Sequence, residues 1–310
     1  MNEIKLKSCA TVANLSCGFD ILGLCLNEPY DEITITKTDA KKVVLNILDS
    51  KYSDIPKNPS ENTGGVPAEL ILNDLNLDYG FNIKIKKGIP LCGGLGSSAA
   101  TSSGVVYGIN KILGNQLTDK QMLHYALEGE KVSVSNPHAD NIAPCLFGGL
   151  SLIRDTETLD IVKIPIEDFS ICAIHPDIKI NTEYSRQILP SKILLKSAIK
   201  QWGEIASLVY AFSSNDISLI RKSMNDYIVE PIRKKLITGF DDIKKQSLNL
   251  GALGCGISGS GPTIFALCET KDIAKDIAKN AQNYYSSINL NCDIYISKIN
   301  NNGPIITSSS

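Results

Sequence analysis

The segment Gly88-Ile-Pro-Leu-Cys-Gly-Gly-Leu-Gly-Ser-Ser-Ala-Ala100 constrains this chain more than any other. An alternating stretch, Phe81–Lys86, precedes it, and period-2 apolar spacing marks a strand. A helical pattern opens at Ser97 and closes near Gly114. Glycines let a backbone come close to an anion, and a helix start offers unpaired N–H groups and the positive end of a dipole. Ser97 and Ser98 add hydroxyls able to touch phosphate or a metal ion. A triphosphate needs these features. A glycine-rich turn with a serine N-cap accounts for the loop as well, and the loop alone does not choose. It is not a Walker A loop, since no Gly-Lys-Ser/Thr follows, and it is not a dinucleotide fingerprint, since Gly94-x-Gly96 runs on to Ala99.

The rest of the chain divides by rhythm. Further strands fall near Ile4–Val12, Glu32–Lys37, Val43–Leu48 and Gly148–Arg154. Asp49–Gly65, with Pro56, Pro59, Ser60 and Asn62, reads as a loop able to cover a ligand. A helix over Pro67–Leu77 carries Pro at its first position, and Thr118 with Gln121 forms a capping box for a helix reaching about Gly129. The turn-like Asp155–Asp160 places a boundary between domains 1–155 and 156–310. After it come a strand at Phe169–His175, a helical region from Asn181 to Leu250, strands at Gly254–Ser258 and Thr263–Cys268, a helix at Asp272–Tyr285 and a strand at Cys292–Lys298. That order approximates β-α-β-β-α-β, a ferredoxin-like pattern in an α+β protein. The tail beyond Asn300 is expected to be disordered.

The 31 basic and 33 acidic side chains balance to −2, which leaves no electrostatic footprint for nucleic acid or an anionic membrane. Leu250–Cys268 is uncharged, but five glycines and Pro262 interrupt it, against a membrane helix. Nine cysteines form no C-x-x-C pair, which argues against zinc and a disulfide framework and suits a reducing, cytoplasmic setting. The histidines, His124, His138 and His175, are too dispersed for a metal site.

Several residues call for partners. Leu123, Ala126 and Leu127 share a helix face, and Glu130 follows on it, so a carboxylate falls on the buried side. There it needs a cation or strong donor, and Mg2+ shared with phosphate and a serine hydroxyl would serve. A structural ion pair or a frayed, exposed Glu is the plainer account. Asn14 and Asp20 stand in an apolar stretch and could hold a hydroxyl and an ammonium, or merely cap turns. Ser135-Asn-Pro-His138-Ala-Asp140-Asn141 could line a pocket, or start a helix with acidic first-turn residues. Gly254–Thr263 could cradle a ligand, form a tight hairpin, or do both. Arg186 and Arg233 could fork a carboxylate or form surface salt bridges.

Three segments in this order, Asn14–Gly23, Gly88–Ala100 and Gly256–Thr263, resemble the three motifs of the GHMP kinases. Within that superfamily, Ala10–Asp20, Glu128-Gly-Glu130, Pro137–Asn141 and Glu230–Ile237 are similar to phrases of the homoserine kinase family, over about Ile4–Lys298. The resemblance implies an S5-like N-terminal ATP-binding domain, a ferredoxin-like C-terminal domain, and transfer of phosphate from MgATP to L-homoserine in threonine biosynthesis. It implies ATP contacts from Asn62, Lys87, Pro90, Leu91, Cys92, Gly93, Gly94, Leu95, Gly96, Ser97 and Ser98. It also implies Mg2+ on Ser98 and Glu130, homoserine on Asn14, Asp20, His138, Thr182, Arg186 and Arg233, and a homodimer. Mevalonate kinase-like relatives use an Asp as base where Asp140 and Asn141 fall here, and we expect a dedicated base to be dispensable. Two phrases depart from the family's pattern, Ser16-Cys17 and Ser133–Asn136, and both bear on substrate preference. The alternatives are a GHMP kinase for mevalonate or a sugar, and a non-catalytic ligand sensor.

Overall fold

The computed structural model describes residues 1–48, 55–133 and 139–310. The N-terminal half contributes β1 (Glu3–Ala13), β2 (Leu22–Thr38), β3 (Val43–Leu48), α1 (Gly65–Asp74), β4 (Gly80–Lys86), α2 (Ser97–Ile112), α3 (Asp119–Glu130), α4 (Ala139–Phe147), β5 (Leu150–Asp155) and β6 (Asp160–Ile164). The sheet runs β3-β4-β2-β1, with β5 on the first part of β2 and β6 on β5. The helix expected at Pro67 starts two residues earlier, at Gly65, and ends at Asp74. Pro67 therefore sits within the first turn, where a missing N–H has no helical acceptor to lose.

Helix α2 crosses this domain packed against β1, β2, α3 and α4. It is rich in serine, alanine and glycine because that crossing is close. Ser8 Oγ of β1 donates to the Ala100 carbonyl at 2.6 Å and Ser102 Oγ of α2 to the Ala126 carbonyl at 2.7 Å, whereas the buried Ser103 hydroxyl has no partner among the described residues. The capping box at α3 is formed as its spacing requires: the Gln121 amide donates to Thr118 Oγ1, and the Thr118 amide donates to Gln121 Oε1.

The C-terminal half contributes β7 (Ser170–Pro176), α5 (Thr182–Gln187), α6 (Leu195–Ser214), α7 (Ile217–Lys222), α8 (Glu230–Arg233), α9 (Phe240–Asn249), β8 (Gly254–Ile257), β9 (Ile264–Cys268), α10 (Lys271–Ser287), β10 (Cys292–Lys298) and β11 (Ile305–Ser309). Its antiparallel sheet, β10-β7-β9-β8, has the ferredoxin-like order. Strands β7 and β9 are buried on both faces. Cys172, Ile174, Ile264 and Ala266 enter the core under α9 and α10, while Ile171, Ala173, Phe265 and Leu267 join the core shared with the N-terminal half. Period-2 alternation here sorts residues between two cores rather than between core and water.

The tail expected to be disordered is instead ordered. Strand β11 pairs antiparallel with the start of β1, so the last residues close an edge of the first sheet. Strands β6 and β11, which lie beyond residue 155, both belong to that sheet.

Candidate active site

A cleft of about 870 Å3 separates the glycine loop from α5 and α8, within the usual range for a small-molecule site. The loop between β4 and α2 forms its floor. Gly94 (φ +78) and Gly96 (φ +64) are left-handed, and a Cβ on either would strike neighbours. On Gly94 it would lie 2.2 Å from the Ser258 carbonyl, and on Gly96 2.1 Å from Thr11 Oγ1. The β8–β9 turn backs the loop: Ser258 Oγ donates to the Gly94 carbonyl at 2.6 Å and Thr263 Oγ1 to the Gly93 carbonyl at 2.5 Å. Gly254–Thr263 is thus a hairpin and also the support of the glycine loop. With those carbonyls engaged, the amides from Leu91 to Ala99 have no acceptor among the described residues, and α2 has no side-chain cap at its N-terminus. Unpaired amides at a helix N-terminus are the arrangement that can receive an anion. The loop's side chains divide: Leu95 and Pro90 are buried behind it, whereas Cys92 is exposed.

Glu130 closes α3 on the buried face, as the helical period requires. Its Oε2 accepts from Ser98 Oγ at 3.0 Å, while its Oε1 is buried without a partner. Burial pushes its carboxyl up to about 7, and the Ser98 hydrogen bond and the Lys87 charge oppose that shift only partly. An orphaned carboxylate oxygen beside a hydroxyl, at the edge of an anion loop, fits Mg2+, which takes one or two protein oxygens and completes its shell with phosphate and water.

Lys87 is placed differently from a base-contacting residue. Its buried ammonium meets Asp31 and donates to the Ser97 carbonyl at 3.0 Å and Thr101 Oγ1 at 2.8 Å. Asp31 in turn accepts from the Gly88 and Ile89 amides at 3.0 and 3.1 Å. The pair ties both ends of the glycine loop to β2. Asp31 was not singled out from the sequence, although a signal existed: it alternates with Ile33 and Ile35 on the buried face of β2. The Asn62 amide is spent on its own loop, donating to the Pro56 carbonyl at 2.8 Å and accepting from Gly64 at 2.8 Å. Next to it, Ile47, Ile55, Ile85 and Val132 line an apolar slot.

The opposite end of the cleft is assembled from distant segments. Asn14 Nδ2 donates to the Gly259 carbonyl at 2.9 Å, and Asn14 Oδ1 accepts from the Asp20 amide at 3.1 Å. Asn14, Leu15, Ser16 and Asp20 all have positive φ, a conformation that asparagine and aspartate tolerate best. Arg186 Nη2 reaches both Asp20 oxygens, at 2.7 and 3.0 Å. Arg233 lies deeper, donating to the Ser185 and Gly259 carbonyls at 3.1 and 2.9 Å, and has no carboxylate partner among the described residues. Burial, then the Arg186 charge, lowers its guanidinium to about 10. Both guanidinium groups stack on Phe19, with centroid distances of 5.3 and 5.1 Å. Thr182 Oγ1 is exposed, 3.4 Å from Ser260 Oγ.

Asp140 and Asn141 open α4 between the two ends. Asn141 Oδ1 accepts from Thr11 Oγ1 at 2.6 Å, and its amide donates to Asp140 at 3.3 Å. Asp140 is buried, and burial followed by the Asp20 charge pushes its carboxyl up to about 7 against the pull of Arg186. His138 and residues 134–136 lie outside the described residues. Ser16 and Cys17 are not at the surface of the cleft. Ser16 Oγ donates to the Met224 carbonyl at 3.0 Å, and the Cys17 carbonyl accepts from Gln201 at 2.7 Å.

Residues 66–149 match the family model of the GHMP kinases N terminal domain, and residues 208–287 match GHMP kinases C terminal. A homoserine kinase of Methanococcus vannielii is 39% identical over 305 residues, covering 96% of this chain and all of that one. A homoserine kinase of Chlorobium phaeovibrioides is 35% identical over 312 residues, covering 96% and 98%. The chain belongs to the homoserine kinase family of the GHMP kinases. The crystal structure of homoserine kinase from Cytophaga hutchinsonii superposes with a TM-score of 0.95 at 43% identity, covering 99% of this chain and 98% of that one. The two-domain α+β fold expected from the three motifs is therefore the family's fold, and the chain is a GHMP-type phosphotransferase.

Proposed function

We propose that the cleft transfers the γ-phosphoryl group of MgATP to the side-chain hydroxyl of L-homoserine, giving O-phospho-L-homoserine on the route to threonine. One observation carries this reading: a single cleft joins loop amides and a Glu130 oxygen, both without partners among the described residues, to a buried Arg233 with no carboxylate among those residues. Family membership and the names of the relatives agree with it.

The loop amides of residues 91–99 and the α2 N-terminus receive the ATP phosphates, and the apolar slot by Asn62 takes the base. Ser98 and Glu130 would hold Mg2+, which would supply charge neutralisation for the transferred phosphoryl group. Asp20 takes the homoserine ammonium, while Arg233 and Arg186 fork its carboxylate. A zwitterion thus answers both members of the Asp20–Arg186 pair, which mevalonate or a sugar lacks the ammonium to do. Asn14, Thr182 and Asn141 orient the substrate, and fixed geometry makes attack effectively intramolecular. Positioning and charge neutralisation suffice for a loose transition state, so a dedicated base is dispensable. A second reading, in which Asp140 removes the hydroxyl proton, is favoured by its burial and a carboxyl poised near neutrality. The many buried thiols suit the reducing cytoplasm.

The deciding experiment is a coupled ADP-release assay with MgATP against L-homoserine, L-threonine, mevalonate, galactose and shikimate. Turnover with homoserine alone is expected, whereas turnover with another alcohol would discard the substrate assignment. Asp140→Asn separates the two readings of the proton. A loss of kcat of about 10²–10⁴-fold with unchanged homoserine affinity identifies a base, and a rise in KM alone identifies a positioning residue.

A further inference from the structure

His175 takes no part in the proposed transfer, yet the fold brings it to the glycine loop. Alternation along β7 sets Ile171 and Ala173 in the core shared with the N-terminal half, and His175 comes next on that face. Strand β9 runs antiparallel beside β7, with Ala173 opposite Phe265 and Ile174 opposite Ile264. One further step of that register puts His175 opposite Thr263, and side chains so paired share a face. Its Nδ1 lies 3.0 Å from Thr263 Oγ1. The ring also lies against the loop itself: a Cβ on Gly93 would stand 2.9 Å from His175 Cε1 and 3.2 Å from Nδ1. Gly93, unlike Gly94 and Gly96, is not left-handed, so contact with the imidazole, and not backbone conformation, calls for glycine there.

The placement of protons at this contact is fixed. A threonine hydroxyl carries one proton, and a carbonyl has none to give. With Thr263 Oγ1 at 2.5 Å from the Gly93 carbonyl, the hydroxyl proton lies on that bond. Thr263 Oγ1 therefore accepts from His175, and the ring carries a proton on Nδ1. The peptide plane takes the consequence into the cleft. In a trans peptide the carbonyl and the next N–H point in opposite directions. Drawing the Gly93 carbonyl back onto Thr263 thus aims the Gly94 amide away from the β8–β9 turn, toward the side on which Gly93 and Gly94 line the cleft. We propose that His175 is a positioning residue for the nucleotide: through Thr263 it fixes the Gly93–Gly94 peptide, whose N–H meets the phosphates. Its donation polarises the Thr263 hydroxyl and strengthens the bond that hydroxyl makes to the loop. The inference rests on the nucleotide reading of the glycine loop and is independent of which alcohol accepts the phosphoryl group.

MgATP binding to the full chain, measured by calorimetry without homoserine, tests this alongside steady-state kinetics. His175→Phe keeps a ring but no donor, and it weakens MgATP binding about 5–10-fold, the worth of one hydrogen bond, with homoserine KM unchanged. His175→Asn, whose amide nitrogen falls where Nδ1 lies, restores affinity to within about 2-fold. His175→Gln sets its nitrogen near Nε2 instead and stays as weak as His175→Phe, which it replaces in the test if the phenylalanine variant does not fold. Joined to Thr263→Val, His175→Phe adds nothing to the loss from Thr263→Val alone, since both break one chain of contacts. Wild-type affinity in both His175→Phe and His175→Gln overturns the proposal. So does His175→Asn as weak as His175→Gln, which leaves only ring packing, and so does an additive double variant. A wild type that binds no MgATP discards the inference together with the nucleotide reading, whereas one that binds MgATP but leaves homoserine unphosphorylated discards the substrate alone.

Discussion

The two ends of the cleft are built on different terms. The phosphate end sits on regular elements, β4, α2 and α3, and its scaffold is held internally: the Lys87–Asp31 pair and the Ser258 and Thr263 hydroxyls tie the loop at its ends and its middle. What remains unsatisfied there is the set of amides and the single Glu130 oxygen that a nucleotide and its metal would take up. The amino-acid end is made of loops and short helices drawn together from positions 14 to 233, and its charges partly neutralise one another through Asp20 and Arg186. One end waits for its ligand. At the other, in the proposed reaction, the substrate displaces an internal partner. Preorganisation favours the first, whereas the second exchanges one ion pair for two and gains discrimination against substrates that can satisfy only one of them.

Removing one member of the buried pair should break the phosphate end most severely. Lys87→Met leaves Asp31 charged and buried, and the expected loss is about 3–5 kcal/mol of unfolding free energy, read by urea denaturation. A change under 1 kcal/mol would mean the pair does not organise the loop. Next comes Glu130→Gln. It should lower kcat by about 10²–10³-fold while homoserine KM stays nearly constant. Equal effects on both ends would erase the distinction drawn between them.

Glu130 and Asp140 also set a pH dependence. Each carboxyl is raised in the folded chain to about 7, so the fold holds protons that the unfolded chain has already released. Their contribution is fully present below the ordinary carboxylate range and is lost as pH rises through about 7. The ligand-free protein should therefore lose on the order of a few kcal/mol between pH 4 and 8. Saturating MgATP should remove the Glu130 share of that loss and leave the Asp140 share. Melting curves across that range, with Glu130→Gln as the reference, check the sign.

Substitutions at the amino-acid end should act on homoserine alone. Arg233→Lys keeps the charge but loses the fork, and homoserine KM should rise about 10–100-fold with ATP KM unchanged. The smallest effect belongs to Ser16→Ala, which removes one hydrogen bond to Met224 worth about 1 kcal/mol and should move homoserine KM severalfold. An ATP KM that moved with either would show that the two ends are coupled.

Much of this was readable from local spacing. The strand–glycine loop–helix unit, the capping box at Thr118 and the burial of Glu130 all follow from periods and neighbours within a few residues. The order of the C-terminal strands was legible for the same reason. The course of the chain end was not, because β11 is wholly exposed along its length and owes its existence to an edge of β1 some 300 residues away. Asp31 was missed although its alternation marked it as buried, since a single acidic residue in a charged-looking run, Asp31-Glu32, does not announce its partner.

The sequence by itself determined which faces are buried and where the backbone must bend, because those properties depend on residues adjacent along the chain. Only the tertiary structure decided which charges meet. Lys87 was available for a nucleotide until folding brought Asp31 to it from 56 positions away, and Asp20 found Arg186 across 166. Arg233 was drawn into the core with backbone carbonyls, and no carboxylate among the described residues, as its partners. Periodicity reports the environment of a side chain. Coulombic pairing depends on distance in space, which is set only when loops remote in sequence close over the same cleft.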